Sequence, residues 1–421
     1  MPRLLKLCIY NFENASRNYR ELSAAIEAGY DITVLAGNRA SSAVHGTVDF
    51  VKGFEVHYYN PMHTKSPLPF ESKPGSDRTF FEKLIRHFIR SVNILRYNKI
   101  ANTFRWAKKV KSFSPDTISC HDITALIIGF ISTKLMLKHK PKLVYDSHEF
   151  EIERNTSIPR TKLQKWYIKC LEGFLMRRCA FSTMVNDSIA DEVQRIHRLK
   201  TRPLVIKSTP LNWQIDLSIC EKRKQEFKQL TRADEHAFFV MYHGLIARNR
   251  GVEILIKTVA INPNIIGIIM GYALDEKFMQ NIVNLASELD VAHRILFLPA
   301  VPIENLWEYV GAADVGIIPM QNTCVSYYYS LNNKFFENIQ SLTPVIASNF
   351  PELTRWIEHY NVGLTCNPSS EEAINVCIEK MRTDKIFYAE LKQNLLVAKH
   401  ELCWENEKIT LIDAYRNIIN S

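Results

Sequence analysis

Two hydrophobic rhythms alternate along this chain. Leu4 to Tyr10 is a short apolar run of strand length. Tyr19 to Ala28 then spaces its apolar residues at helical period, Gly29 supplies a helix stop, and Ile32 to Leu35 is strand-like again. Strand, helix and strand in that order make a βαβ unit, which requires a parallel sheet with right-handed crossovers. Further strand runs end at Ser119-Cys120 and, through Leu143-Val144-Tyr145, at Asp146. Helical patterns over Gln164 to Arg177 and Ser188 to Arg195 precede an apolar strand at Pro203 to Ile206.

From Ala237 the alternation restarts. Strands are expected at Phe238 to Tyr242, Ile265 to Met270, Ile295 to Leu298, Val315 to Ile318 and Pro344 to Ala347. Between them lie helices at Val252 to Val259, Lys277 to Leu289, Ile303 to Ala312 and Lys334 to Gln340. This predicts a second doubly wound domain. The polar stretch Ser218 to Glu235 separates the two series and places the junction at about Lys207 to Arg232. The fold class is therefore α/β, with two Rossmann-like doubly wound domains, 1–207 and 208–403, facing across a cleft. The amphipathic stretch Trp404 to Ile419 allows 404–421 to return to the first domain. Ligands of such sheets bind at the carboxyl ends of strands, so the strand-to-helix loops carry the candidate chemistry.

Length and composition agree with two cores. A chain of 421 residues exceeds one ordinary domain, and 46% apolar with 23% charged residues is a globular balance without low-complexity or repeat segments. Nine scattered cysteines with no C-x-x-C pair read as free thiols in a reducing cytoplasm. No signal-peptide core and no eighteen-residue apolar run is present, so the expected location is cytoplasmic. The formal charge of +9 is uneven, with nine basic residues against the single acid Glu82 between Phe80 and Lys111. A basic amphipathic segment of this kind can lie on an anionic membrane surface; its plainer reading is a pair of helices with a solvated basic face. No nucleic-acid motif accompanies the charge.

Three loops stand out. His243-Gly244-Leu245-Ile246-Ala247-Arg248-Asn249-Arg250-Gly251 joins a strand to a helix, where free N–H groups, the positive end of the dipole and two guanidiniums can hold a diphosphate. Ser330-Leu331-Asn332-Asn333-Lys334-Phe335-Phe336-Glu337 opens a helix whose Glu337 can accept two hydrogen bonds from a ribose diol, unless Lys334 and Glu337 merely pair locally. Tyr145-Asp146-Ser147-His148-Glu149 follows a strand. There His148 can serve sugar hydroxyls or a proton relay, unless Asp146 and Glu149 form a capping box. Cys120-His121-Asp122 ends a neighbouring strand. There is no D-x-D triplet, H-E-x-x-H or clustered Cys/His set, so no metal is implied.

Together and in this order, these segments resemble the large family 4 (group 1) of retaining GT-B glycosyltransferases. The resemblance spans Arg20-Glu21-Leu22 to Val34, Val144-Tyr145-Asp146-Ser147-His148-Glu149, Tyr242-His243-Gly244 with Arg248 to Gly251, and Asn333-Lys334-Phe335-Phe336-Glu337 with Pro344-Val345-Ile346-Ala347-Ser348. It implies transfer of a sugar from a UDP- or GDP-linked donor to a glycan or lipid-linked acceptor of surface polysaccharide, lipopolysaccharide or capsule synthesis. No cofactor or metal is implied. Arg248 and Arg250 would hold the diphosphate, Glu337 the ribose, Lys334 the phosphate or sugar side and His148 the transferred sugar. Gly244 and the backbone of Ser330, Leu331 and Asn332 would complete the donor contacts, with Asn14, Ser16, His121, Asp146 and Glu149 on the acceptor side. Many members carry a second glutamate where this chain has Tyr329, and a Gly-Gly loop where it has Asn11 to Arg17. A non-hydrolysing sugar-nucleotide epimerase and a degenerate partner subunit share the architecture.

Overall fold

The apolar runs become buried strands. In the computed structural model, which describes residues 1–9, 12, 16–37, 48–51, 53–59, 97–156 and 159–420, the chain divides into two units. One comprises Met1–Val185, Ile189–Ile206 and Lys408–Ser421; the other comprises Asn186–Ser188 and Lys207–Glu407.

The first unit is built on an eight-stranded sheet. Its strands are β1 (Arg3–Cys8), β2 (Asp31–Ala36), β3 (Val48–Val51), β4 (Phe54–Tyr58), β5 (Thr117–Cys120), β6 (Lys142–Asp146), β7 (Phe181–Met184) and β8 (Leu204–Val205). They run in the order β3-β4-β2-β1-β5-β6-β7-β8, all parallel except the β3–β4 pair. The order reverses direction between β1 and β5, which opens a ligand position at their carboxyl ends. Gly29, at φ 104°, takes the left-handed turn that ends the first helix, Ser16–Glu27, as a glycine does at the least cost.

The second unit carries six strands: β9 (Phe238–Ile246), β10 (Ile265–Ala273), β11 (Ile295–Pro299), β12 (Val315–Ile318), β13 (Val345–Ser348) and β14 (Gly363–Cys366). All are parallel, in the order β11-β10-β9-β12-β13-β14, so the switch point falls between β9 and β12. Val240, Tyr242, Ile269, Val315, Ile317 and Ile346 meet the Val252–Ile261 helix in one core.

The polar stretch Ser218 to Glu235 does not connect domains. It is mostly a helix, Leu217–Thr231, capped by the Asp216 side chain, with buried Phe227 turned onto the second sheet and buried Cys220 against Trp307. Phe227 lies against the Phe239 ring, and Lys224 reaches Asp314 at 2.6 Å. The helix expected over Ile303 to Ala312 splits into a 3₁₀ turn and a short helix, Leu306–Val310. The Trp404–Ile419 helix carries its last residues to the first sheet. There Tyr415 packs edge-on against Tyr30 and Phe181, and Lys408 meets Glu27 at 2.7 Å. All nine cysteines are free thiols. No helix among the described residues is long and apolar enough to cross a membrane. Of the basic stretch 80–111, residues 80–96 lie outside the described residues and the rest forms the Tyr97–Lys111 helix.

Candidate active site

Each sheet gathers charge at its carboxyl edge. In the second unit β9 ends in Tyr242, His243 and Gly244, and then turns through Arg248 to Gly251 into the Val252–Ile261 helix. Gly251 (φ 77°) is the N-cap, and a Cβ there would sit 2.0 Å from the Pro319 carbonyl oxygen. Gly244 (φ 100°) leaves room for Lys334, whose Cε would lie 3.2 Å from an added Cβ. A Cβ on Gly271 (φ 155°) would fall 1.8 Å from the Gly244 carbonyl oxygen. The ends of β9 and β10 are thus pressed together with no space for side chains. Gly271→Ala is expected to destabilise the second unit by about 1–3 kcal/mol through that clash and the positive φ. Thermal unfolding that leaves the melting temperature unchanged would contradict it.

The Asn333–Gln340 helix brings the other half of this site. Asn332 caps it, its side chain accepting from the Phe335 N–H. Glu337 and Lys334 do not pair with each other. Instead, Glu337 receives His243 Nε2 at 2.9 Å, an interaction between residues on two elements far apart in sequence. Lys334 is buried, with its ammonium 3.5 Å from the centre of the Tyr242 ring. Burial, and then the positive charge of Arg250, push the Lys334 amine well below the usual lysine range, against the opposing pull of Glu337. A cation–π contact worth about 2 kcal/mol does not replace the water such a group has lost. Lys334 thus has no carboxylate in ion-pair contact among the described residues. Arg250 is half-buried, with its guanidinium 6.0 Å from the Tyr327 ring. Arg248 is placed elsewhere: it is exposed and lies over Phe278, 5.6 Å from that ring. Ser330 and Asn332 flank the helix start, whereas the Leu331 side chain is buried in the core and offers only its backbone. Tyr329, where an acid is common in the resembled family, gives its carbonyl to Asn186 Nδ2 at 2.6 Å.

In the first unit the carboxyl ends of β1, β5, β6 and β7 converge on Asp146. Its Oδ1 accepts from Thr183 Oγ1 at 2.8 Å and Arg17 Nη2 at 3.3 Å; its Oδ2 lies 2.6 Å from His148 Nε2 and 3.4 Å from Lys6 Nζ. Glu21 completes the network, binding Lys6 at 2.9 Å and Arg17 at 2.6 Å. Burial disfavours the charged carboxylate of Asp146, but His148, Lys6 and Arg17 outweigh it and hold the group well below the usual range. His148 is lowered from its ordinary value by burial, which exceeds the pull of Asp146. His121, whose ring centroid is 4.0 Å from that of His148, is pushed down to about 4 by burial and by His148. Both imidazoles are neutral at pH 7. The hydrogen bond assigns the Nε2 proton of His148 to Asp146 and leaves its Nδ1 lone pair to accept from a hydroxyl.

A capping box at Asp146 is not formed. The 3₁₀ turn Glu151–Glu153 begins after Phe150 with no side-chain cap, because Asp146 is engaged by tertiary partners. Glu149 is not drawn to His148; it is half-buried and pairs with Arg154 at 3.0 Å. Asn14 lies outside the described residues, and of Ser16 only its place at the start of the first helix is described. His121, Asp146 and His148 bring ligand atoms within 4.8 Å of one another. Lys6 and Arg17 already compensate the carboxylate there, so a divalent cation would meet two positive charges. Lys6, Arg17, Glu21, Thr183 and Tyr242 were not singled out from the sequence as site residues. Each looks locally like an ordinary strand or helix residue.

Comparison with known proteins bears on the fold and the family. Residues 222–395, which include β9 to β14, match the family model "Glycosyl transferases group 1". An uncharacterized glycosyltransferase of Methanocaldococcus jannaschii is 22% identical over 311 residues, covering 72% of this chain and 75% of that one. Among solved structures, sucrose-phosphate synthase from Thermosynechococcus elongatus aligns with a TM-score of 0.73 at 14% identity, covering 100% of both chains. Anabaena HepE in complex with UDP-glucose aligns at 0.65 and 15%, covering 99% of each. The catalytic domain of Arabidopsis thaliana starch synthase IV, bound to ADP and acarbose, aligns at 0.66 and 13%, covering 100% of both. The chain is a glycosyltransferase with the GT-B fold, and its residues 222–395 match the group 1 glycosyltransferases.

Proposed function

We propose that the chain transfers a sugar, with retention, from a UDP- or GDP-linked donor to a glycan or lipid-linked acceptor of surface polysaccharide, lipopolysaccharide or capsule synthesis at the inner face of the membrane. The observation that carries the donor half is buried Lys334, stacked on Tyr242 beside Arg250 and one helical turn from Glu337. A diphosphate beside Lys334 would supply the missing negative charge, while Arg250 and the start of the Val252–Ile261 helix stabilise the charge that develops as the glycosidic bond to phosphate breaks. Glu337, oriented by His243, is positioned to accept from a ribose diol. The structural neighbours bound to UDP-glucose and ADP support a nucleotide-sugar donor. No protein nucleophile is needed. The departing phosphate can take the acceptor hydroxyl proton, and neutral His148 orients a sugar hydroxyl through Nδ1. No cofactor or metal enters this reading.

The lowered amine of Lys334 makes binding proton-linked. Burial and Arg250 disfavour the ammonium in the free protein, and a neighbouring diphosphate would favour it, so binding shifts the group toward proton uptake. Titration calorimetry of UDP and GDP at pH 8 in buffers of different ionisation enthalpy should show net proton uptake, because the nucleotide phosphates are already ionised there. The uptake should vanish in Lys334→Met. Tight binding with no proton exchange in the parent protein would remove Lys334 from the phosphate site.

A further inference from the structure

We propose that the helix Lys162–Met176, with the basic groove at its carboxyl end, docks this chain on an anionic phospholipid bilayer. One face of this helix is buried: Ile168, Leu175 and Met176 join the core, and Glu172 is held by Tyr145 and His197. The opposite face presents large apolar side chains to solvent at helical spacing. Leu163 is 60% exposed, Trp166 61%, Tyr167 39% and Phe174 43%. Isolated exposed apolar residues are ordinary, but a contiguous stripe of this kind signals a surface that is covered in use. The helix is fixed in place by a complete capping box between Thr161 and Gln164, so the stripe is preformed.

The charge around the stripe selects the occupant. Lys169 is exposed to one side of it. Arg178 stacks its guanidinium 3.5 Å from the Phe174 ring, so its charge sits at the apolar edge. Beyond the carboxyl end opens a groove of about 1310 Å³, at the amino ends of β6, β7 and β8 and away from Asp146. Lys134, Lys140, Lys142, Arg198, Lys200 and Arg202 line it, and Asp413 is the one acid among the lining residues. Lys134, Lys140, Arg198 and Lys200 pair with no carboxylate among the described residues. Aromatic rings that settle at the headgroup level, beside cations that attract anionic lipid, are the two requirements of an interfacial helix. A protein partner would need the acidic counterpart of so basic a surface, whereas an anionic bilayer supplies it everywhere.

The surface argues for itself from exposure and charge, and it extends the reading of a lipid-linked acceptor. The helix starts fourteen residues after His148, and Arg160, just before it, is anchored on Glu151 at 2.6 Å. Its fifteen residues span about 22 Å.

The test uses the full chain and vesicles without any acceptor, so its outcome is separate from that of the transferase reading. Co-sedimentation with phosphatidylcholine vesicles, with and without phosphatidylglycerol, should show binding only to the anionic ones, weakened by salt. Trp166, the one exposed tryptophan of six, should shift its emission to the blue on binding. Leu163→Ser/Trp166→Ser/Phe174→Ser and Lys169→Glu/Arg178→Glu should each reduce partitioning at least about tenfold. Because these residues are exposed, the melting temperature should not change. Lys108→Glu/Lys109→Glu on the Tyr97–Lys111 helix should have little effect. The proposal is overturned by any of three results. The first is no binding to anionic vesicles at low salt, and the second is binding that survives both sets of substitutions. The third is a different occupant: a dimer in light scattering that the triple variant splits, or an oligonucleotide that binds this face in preference to vesicles.

Discussion

Arg250→Ala is expected to lower kcat about 10²- to 10³-fold, as removal of one preorganised donor from a developing oxyanion does elsewhere. Arg248→Ala should stay within a few-fold of the parent protein. The two arginines are a residue apart in the same loop, yet Arg248 is exposed over Phe278 while Arg250 bears on Lys334 and Tyr242. Lys334→Met makes the sharper case. Transfer should be lost to a similar degree while the melting temperature rises, because a buried amine without an anion is replaced by a side chain suited to that space. Progress curves of donor consumption, with thermal unfolding of the same preparations, check both. An Arg248→Ala defect as deep as that of Arg250→Ala would show that the diphosphate lies over the outer part of the loop.

The second large effect lies in the other sheet. Asp146→Asn leaves Lys6 and Arg17 with Glu21 as their sole buried carboxylate and should cost about 3–5 kcal/mol in the first unit. Urea unfolding followed by circular dichroism measures it, and nucleotide binding in the second unit serves as the control for overall folding. The sign with pH follows from the lowered carboxyl. Its contribution is fully present above the ordinary aspartate range and is lost as pH falls through the lowered value in the folded state. The parent protein should thus resist acid further than the variant. Equal acid midpoints for the two would argue that Asp146 is not the charge that holds this cluster.

The sheets were legible because strands buried on both faces read as continuous apolar runs, as from Ile265 to Met270, and the helices between them keep their period. What escaped was set by tertiary partners. Lys6 sits among leucines in β1, and nothing local shows that Glu21 and Asp146 wait beside it. Asp146 followed by Glu149 has the spacing of a helix start, yet three side chains from other elements and the neighbouring His148 engage the aspartate and no such start forms there. The Leu217–Thr231 helix has so few buried residues that it reads as a polar connector. In the donor half the motif residues were visible, but the exchange of partners was not. His243 takes Glu337, Lys334 takes the Tyr242 ring, and only the fold shows that Arg248 points elsewhere.

The return of residues 408–420 to the first sheet sets an order of events during synthesis. The Tyr30 and Phe181 rings are made early, but Tyr415, which covers both, emerges only after the whole second unit, Lys207–Glu407, has been translated. At ordinary elongation rates that interval is roughly 10–40 s. Until then the Tyr30 and Phe181 rings lack the Tyr415 ring that packs on them in the finished fold.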